Sequence, residues 1–168
     1  MTICKLCLKL LWDHQSTKCP SCGADLVGKR KSREEMFSDI VKIIAERSTC
    51  SRAKVGALAV RDNRIISIGY GGSPSGLPHC LDDGCEEGPD GGCTRTIHAE
   101  ANVIAFAAKA GISLDGATLY VTLSPCYDCA KLIINSGIVE VVFAEFYRKT
   151  EGINLLGKAG IKIRRFYS

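Results

Sequence analysis

Cys126 and Cys129 stand three apart in "SPCYDCAKLIIN", where an apolar strand pattern, "ATLYVTL", runs into Ser124-Pro125 and a helical pattern follows. Residues three apart on a helix share a face. Thiolates at a helix start are favoured by the dipole and by unpaired N–H groups, and Pro125 suits the entry to such a helix. Two thiolates from one turn do not close a tetrahedral metal site. A zinc held here needs a third ligand from elsewhere and keeps a position open for water, which is the pattern of a catalytic zinc rather than a structural one. His98 offers that ligand. A lone histidine in an apolar segment is more often a satisfied core residue, but "IHAEANVIAFAAK" places Glu100 two positions further on. A core helix gains nothing by opening with two groups that are costly to bury. Zinc would acidify water toward neutral pH. Glu100, not a ligand in this reading, would move protons as general base and acid. Its plainer reading is a helix-start carboxylate favoured by the dipole.

The chain has ten cysteines in 168 residues, and they are grouped rather than scattered. With no charged start followed by an apolar stretch, no export signal is expected. A cytoplasmic location follows, where thiols stay reduced and clusters point to metal rather than disulfide. Cys4, Cys7, Cys19 and Cys22 form two C-x-x-C knuckles that suit a closed, structural zinc. So short a segment cannot bury a sufficient core, so the metal would hold it folded. His14 is a weaker competitor as a ligand there. A zinc-ribbon module over 1–28 and a basic linker over 29–33 are therefore expected before a domain over 34–168. The remaining four cysteines, Cys50, Cys80, Cys85 and Cys93, have irregular spacing. Their number suits a second structural zinc, with His79 able to replace one thiolate, while the plain alternative is buried free thiols.

The elements around these groups read coarsely. Met36, Phe37, Ile40, Val41 and Ile44 recur with helical period. "VGALAVRDNRIISIGY" reads as two strands joined by a tight turn at Asp62-Asn63. Then come a helix from about Ala99, a strand over 117–123, a helix over 126–135, and the strand "IVEVVFAEF", apolar on both faces as in a sandwiched sheet. A short helix over 153–158 and the strand "IKIRRF" follow. A hairpin followed by alternating helix and strand means an α/β fold with a mixed sheet covered by helices. Residues 69–92 read as a long Gly- and Pro-rich loop, for which a zinc clip would give a reason.

The net charge of +4 suits an anionic substrate but is too mild for a nucleic-acid footprint. No apolar run approaches the roughly 20 residues that span a bilayer, so no membrane role is expected.

H-x-E followed by P-C-x-x-C is the signature of zinc nucleobase deaminases. From about Arg33 to Phe166 the chain resembles the deoxycytidylate (dCMP) deaminase family. The stretches that carry the resemblance are "RSTCSRAKVGALAV", "NRIISIGYGGSPSGLPHC", "CTRTIHAEANVIAFAAKAGISLDGATLYVTLSPCYDCAKLIINSGI" and "AEFYRK". The resemblance implies a three-layer α/β/α cytidine-deaminase-like fold with a mixed five-stranded sheet, the N-terminal ribbon lying outside the family core. It implies hydrolytic deamination of dCMP to dUMP and ammonia, feeding thymidylate synthesis. It also implies a structural zinc at Cys50 and Cys80, completed by Cys85 and Cys93. The Ser124 carbonyl and the Ala99 N–H would bind the base edge, and Tyr147 would line sugar and base. Arg148 and Lys54 are candidates for the 5′-phosphate. Homo-oligomers, hexamer or dimer, and dCTP with Mg2+ as effector are family expectations. The family usually has "GYNG" where this chain has "GYGG". The asparagine missing at Gly71 would contact the sugar hydroxyl. Without it either the pocket is roomier and takes a substituted base or an altered sugar, or Ser73 or a backbone N–H of the Gly-rich loop holds the sugar, and the second is the expectation. The rival readings are a deaminase of cytosine in single-stranded nucleic acid, and one acting on a free or 5-substituted cytosine nucleoside or nucleotide. A basic groove with stacking aromatics is absent, so nucleic acid is not the expected partner.

Overall fold

The computed structural model describes residues 2–3, 7, 10–11, 18–24, 30–89 and 91–166. The chain divides into two units, Met1–Ser32 and Arg33–Ser168. In the first, β1 (Thr2–Ile3) pairs antiparallel with β2 (Leu10–Leu11). Cys7 and Cys19 bring their sulfurs to 3.7 Å, and with Cys22 they form a group whose sulfurs all lie within 4.8 Å of one another. Cys4 and His14 lie outside the described residues. The boundary of the second unit falls at Arg33, where the first helix begins, one residue earlier than the spacing suggests.

That helix, α1 (Arg33–Ala45), buries Phe37, Val41 and Ala45 at four-residue intervals. Met36 departs from the expected face and is 40% exposed. β3 (Gly56–Arg61) and β4 (Arg64–Tyr70) form the expected hairpin. Both turn residues, Asp62 and Asn63, have positive φ, 51° and 60°, the geometry of the tight turn whose twist matches paired strands. A single turn of helix, α2 (Cys80–Asp83), interrupts the stretch read as loop. Then follow α3 (Ala99–Lys109), β5 (Thr118–Leu123), α4 (Tyr127–Asn135), β6 (Glu140–Glu145), α5 (Glu151–Lys158) and β7 (Lys162–Arg165).

The sheet order is β4-β3-β5-β6-β7. β3 is antiparallel to both neighbours, while β5–β6 and β6–β7 are parallel. Parallel neighbours need a crossover, and α4 and α5 supply the two. The central strands β3, β5 and β6 are buried on both faces. Ala57, Ala59, Val121, Val141 and Phe143 face one core with Ala99, Val103, Ile133 and Leu156 of the helices. Leu58, Val60, Tyr120 and Val142 face a second core with Phe37 and Val41 of α1. Alternate residues of one strand thus enter opposite cores, which is why β6 reads as apolar throughout. This is the three-layer architecture with a mixed five-stranded sheet. Among the described residues no helix is long and apolar enough to cross a membrane.

Candidate active site

The N-termini of α3 and α4 carry the chemistry. His98 is the residue that caps α3, in extended conformation (φ −68°, ψ 152°), and its side chain makes no capping bond. The segment before it is fixed by paired backbone bonds between Gly72 and Ile97, at 2.9 and 3.2 Å. Asn102, one turn into α3, donates to the Tyr70 carbonyl at 2.8 Å and ties the helix to the end of β4. Cys126 caps α4, its sulfur accepting from the Cys129 N–H at 3.5 Å. Pro125 therefore precedes the cap rather than opening the helix.

His98 Nδ1 lies 3.4 Å from the sulfur of Cys126 and 3.4 Å from that of Cys129. Zinc–sulfur and zinc–nitrogen bonds of ordinary length, meeting at a tetrahedral angle, hold their donors roughly 3.6 Å apart. The three donors therefore fit a zinc ion with little movement. Glu100 stands in the first turn of α3 and is 4% exposed.

The protonation pattern follows from this crowding. The Cys126 thiol is lowered to about 4, chiefly by the hydrogen bond from Cys129, with His98 adding to it. Cys129 is pushed strongly up, because its proton is held against the Cys126 sulfur and the site is buried. His98 is raised to about 9 by its hydrogen bond to Cys126, against the effect of burial. Without metal, one thiolate and an imidazolium share the site. A cation binding all three donors displaces these protons. Burial raises the Glu100 carboxyl to about 7.

His98, Glu100 and Cys126 line a cavity of about 560 Å3, with Cys129 buried outside the lining; the volume is within the range for small-molecule sites. Of the residues expected to touch a substrate, Gly71, Ala99, Ser124, Tyr147 and Arg148 line it. Ser124 is held twice: its N–H donates to the Glu145 carbonyl at 2.8 Å, and its Oγ accepts from the Tyr147 N–H at 2.8 Å. That pairing draws Tyr147 to the end of β5. Arg148 lies over the Tyr147 ring, 5.6 Å from its centroid.

Two of the expected residues lie outside the lining. Lys54 is exposed, and the wall is made by its neighbours Ala53 and Val55. Ser73 is not in the lining either; its Oγ is buried without a hydrogen-bond partner, past the Gly72–Ile97 bridge. The backbone N–H groups of Gly71 and Gly72 are also engaged, with Val55 and Ile97 carbonyls, so neither is free for a sugar.

The middle cysteines converge only in part. Cys80 and Cys93 bring their sulfurs to 3.6 Å, each 3.4 Å from Thr96 Oγ1. Cys85 hydrogen-bonds to Cys93 and to Arg52. Cys50 lines the cavity. Among the described residues, no three of these four share a 4.8 Å group. His79 is occupied by Thr49, Nδ1 to Oγ1 at 3.0 Å.

Sequence reasoning missed Arg52 and Lys149, both in the cavity wall. Arg52 donates to the Gly91 carbonyl at 2.6 Å and pairs with Glu87 at 3.6 Å. These bonds link residues 39 and 35 positions away, and no local signal in "CSRAK" announces them.

Residues 30–145 match the cytidine and deoxycytidylate deaminase zinc-binding region. The chain belongs to this deaminase family. It is 48% identical over 120 residues to ComE operon protein 2 of Bacillus subtilis, covering 71% of this chain and 63% of that one. It is 33% identical over 165 residues to the deoxycytidylate deaminase of Saccharomyces cerevisiae, covering 95% of this chain but 50% of the relative. Both relatives thus extend well beyond the matched region. Among solved structures, the dCMP deaminase of cyanophage S-TIM5 in complex with dCMP and dUMP superposes with a TM-score of 0.73 at 33% identity. That match covers 83% of this chain and all of the phage chain. A family defined by a zinc-binding region and a His/Cys/Cys group of the right dimensions agree on a zinc site at His98, Cys126 and Cys129.

Proposed function

We propose that this protein removes the amino group of dCMP by hydrolysis, giving dUMP and ammonia and feeding thymidylate synthesis. The observation that carries the reading is the meeting of His98, Cys126 and Cys129, of which His98 and Cys126 line a nucleotide-sized cavity together with buried Glu100. The relatives that act on deoxycytidylate, and the neighbour that holds dCMP and dUMP, support the choice of substrate.

His98, Cys126 and Cys129 would hold a zinc ion, and what it would supply is an acidified water for attack on the ring carbon bearing the amine. Glu100 takes one proton of the attacking water and hands it to the adjacent ring nitrogen. It then takes the second from the new hydroxyl on the ring carbon, which becomes the carbonyl, and delivers it to the leaving amine. The Ala99 N–H and the Ser124 carbonyl hold the base edge. Tyr147 packs on sugar and base, and Arg148 at the mouth meets the phosphate. Cys4, Cys7, Cys19 and Cys22 hold a ribbon zinc in the segment 1–28. Cys50, Cys80, Cys85 and Cys93 hold another, which would have to draw the four sulfurs closer than the metal-free geometry does. The protein works in the cytoplasm as a homo-oligomer, with dCTP and Mg2+ as effector.

The test is to follow ammonia release from dCMP, cytidine, dCTP and a cytosine-containing oligonucleotide. Preference for dCMP by at least ~100-fold is expected, since a site built around a charged group rejects analogues lacking it. Equal or faster turnover of the nucleoside or the oligonucleotide would overturn the reading.

A further inference from the structure

The ligands come from two helix starts on different parts of the chain, so the site exists only while those two turns stay in register. Behind each turn stands a glycine. At Gly69 the β4 backbone passes so close to α3 that a Cβ would lie 2.5 Å from the Ala99 carbonyl oxygen and 2.7 Å from the Val103 nitrogen. At Gly152 the first turn of α5 lies against the start of α4. A Cβ there would overlap the Pro125 carbonyl oxygen and come to 2.8 Å from the Cys126 carbonyl carbon. Neither glycine has a positive φ, so conformational freedom is not why glycine stands there. The reason is space. Gly157, in the same helix as Gly152, has nothing within 4 Å of its Cβ position.

We propose that Gly69 and Gly152 are positioning residues for the catalytic metal. Their missing side chains let β4 and α5 press the first turns of α3 and α4 into the one arrangement that brings His98 to both cysteines. The inference rests on the zinc reading of that site. A methyl group at either position has to push helix backbone away by on the order of half an ångström or more, whereas metal–ligand distances tolerate about 0.2 Å. The atoms displaced belong to Ala99, directly after His98, and to Cys126 itself. Gly56 makes an equally close contact, 2.5 Å from the Ala45 nitrogen, but presses on α1, which carries no ligand.

Gly56 therefore provides the control. Gly69→Ala, Gly152→Ala, Gly56→Ala and Gly157→Ala are titrated with a chromophoric zinc chelator, at a temperature where circular dichroism shows each folded. Cys126→Ser marks the baseline without this site, and the visible spectrum of the cobalt(II)-loaded proteins reports ligand geometry. Gly69→Ala and Gly152→Ala are expected to weaken zinc at this site at least ~10-fold, as loss of groups that orient ligands does, and to shift the cobalt bands. Gly56→Ala lowers thermal stability but keeps zinc affinity within ~3-fold and leaves the bands in place. Gly157→Ala leaves zinc affinity and the bands unchanged, and raises thermal stability slightly as alanine does in an open helix position. Zinc retention as in the parent by both Gly69→Ala and Gly152→Ala, or equal zinc loss in Gly56→Ala, overturns the proposal. If the parent itself matches Cys126→Ser, the zinc reading fails instead. Should the variants not fold, hydrogen exchange on the parent decides. Removing metal should speed exchange at Asn154, in the first turn of α5, at least ~10-fold more than at Ala159 at its end, and equal change at both refutes the idea.

Discussion

Gly71→Asn introduces the asparagine that the family resemblance leads one to expect, and the structure predicts that it harms this protein. Gly71 is buried in the cavity wall and its φ is not positive, so asparagine meets no backbone strain. Its Cβ, however, would stand 3.2 Å from Ser48 Oγ and 3.7 Å from the Thr96 methyl. Ser48 cannot swing away freely, because its hydroxyl donates to the Gly71 carbonyl at 2.8 Å and the residue is 3% exposed. Overpacking a buried site costs about 1–3 kcal/mol. At the low end, borne by the bound state, about 1 kcal/mol lowers kcat/KM for dCMP roughly fivefold. Steady-state kinetics on dCMP, with a melting curve to register any loss of fold, is the assay. A gain in kcat/KM with a lower KM would refute the reasoning. It would mean that the parent cavity lacks a sugar contact and that dCMP is not its best substrate, and dCMP carrying a 5-substituent would be tried next.

Metal analysis of the intact protein should give three zinc ions per chain, and Cys22→Ser should lose one while keeping most of the deaminase activity. A single ion in the parent removes both structural assignments, and collapse of activity in the variant makes the ribbon part of the working enzyme. Glu140 sets an acid limit on stability. Burial favours its neutral form, but hydrogen bonds from Arg164 at 2.7 Å and Lys162 at 3.0 Å outweigh that and hold the carboxyl below its ordinary range. A depressed pKa contributes stability above the unfolded value of about 4.3 and loses it as pH falls. Glu140→Gln should therefore cost about 1 kcal/mol near pH 7, seen as a lower Tm, and the gap should close below about pH 4. A gap that persists in acid would assign the effect to packing rather than charge.

Much of this was legible because its causes are local. The Asp62-Asn63 turn, the doubly apolar β6 and the pairing of His98 with Glu100 each show within a few residues. The link from His98 to Cys126 crosses 28 positions, yet two cysteines on one turn already demand an outside ligand, so chemistry supplied what distance hid. Arg52, Gly69 and Gly152 gave no such demand. Their roles depend on which backbone passes which, and an arginine in a loop or a glycine in a strand or helix looks the same whether or not a neighbour touches it. Ser73 and Lys54 lie outside the lining although their neighbours Gly71, Ala53 and Val55 are in it, since closeness along the chain to lining residues does not fix which way a side chain points. Met36 fits a helical period but falls at the edge of the buried face.

Glu100→Gln, measured in a single turnover with dCMP, bears most directly on the central claim. The amide keeps the shape of a buried side chain but cannot shuttle a proton. Zinc content and dCMP binding should stay as in the parent, while the rate of dUMP formation falls at least ~100-fold. A rate within a few-fold of the parent, with zinc bound, would contradict the account.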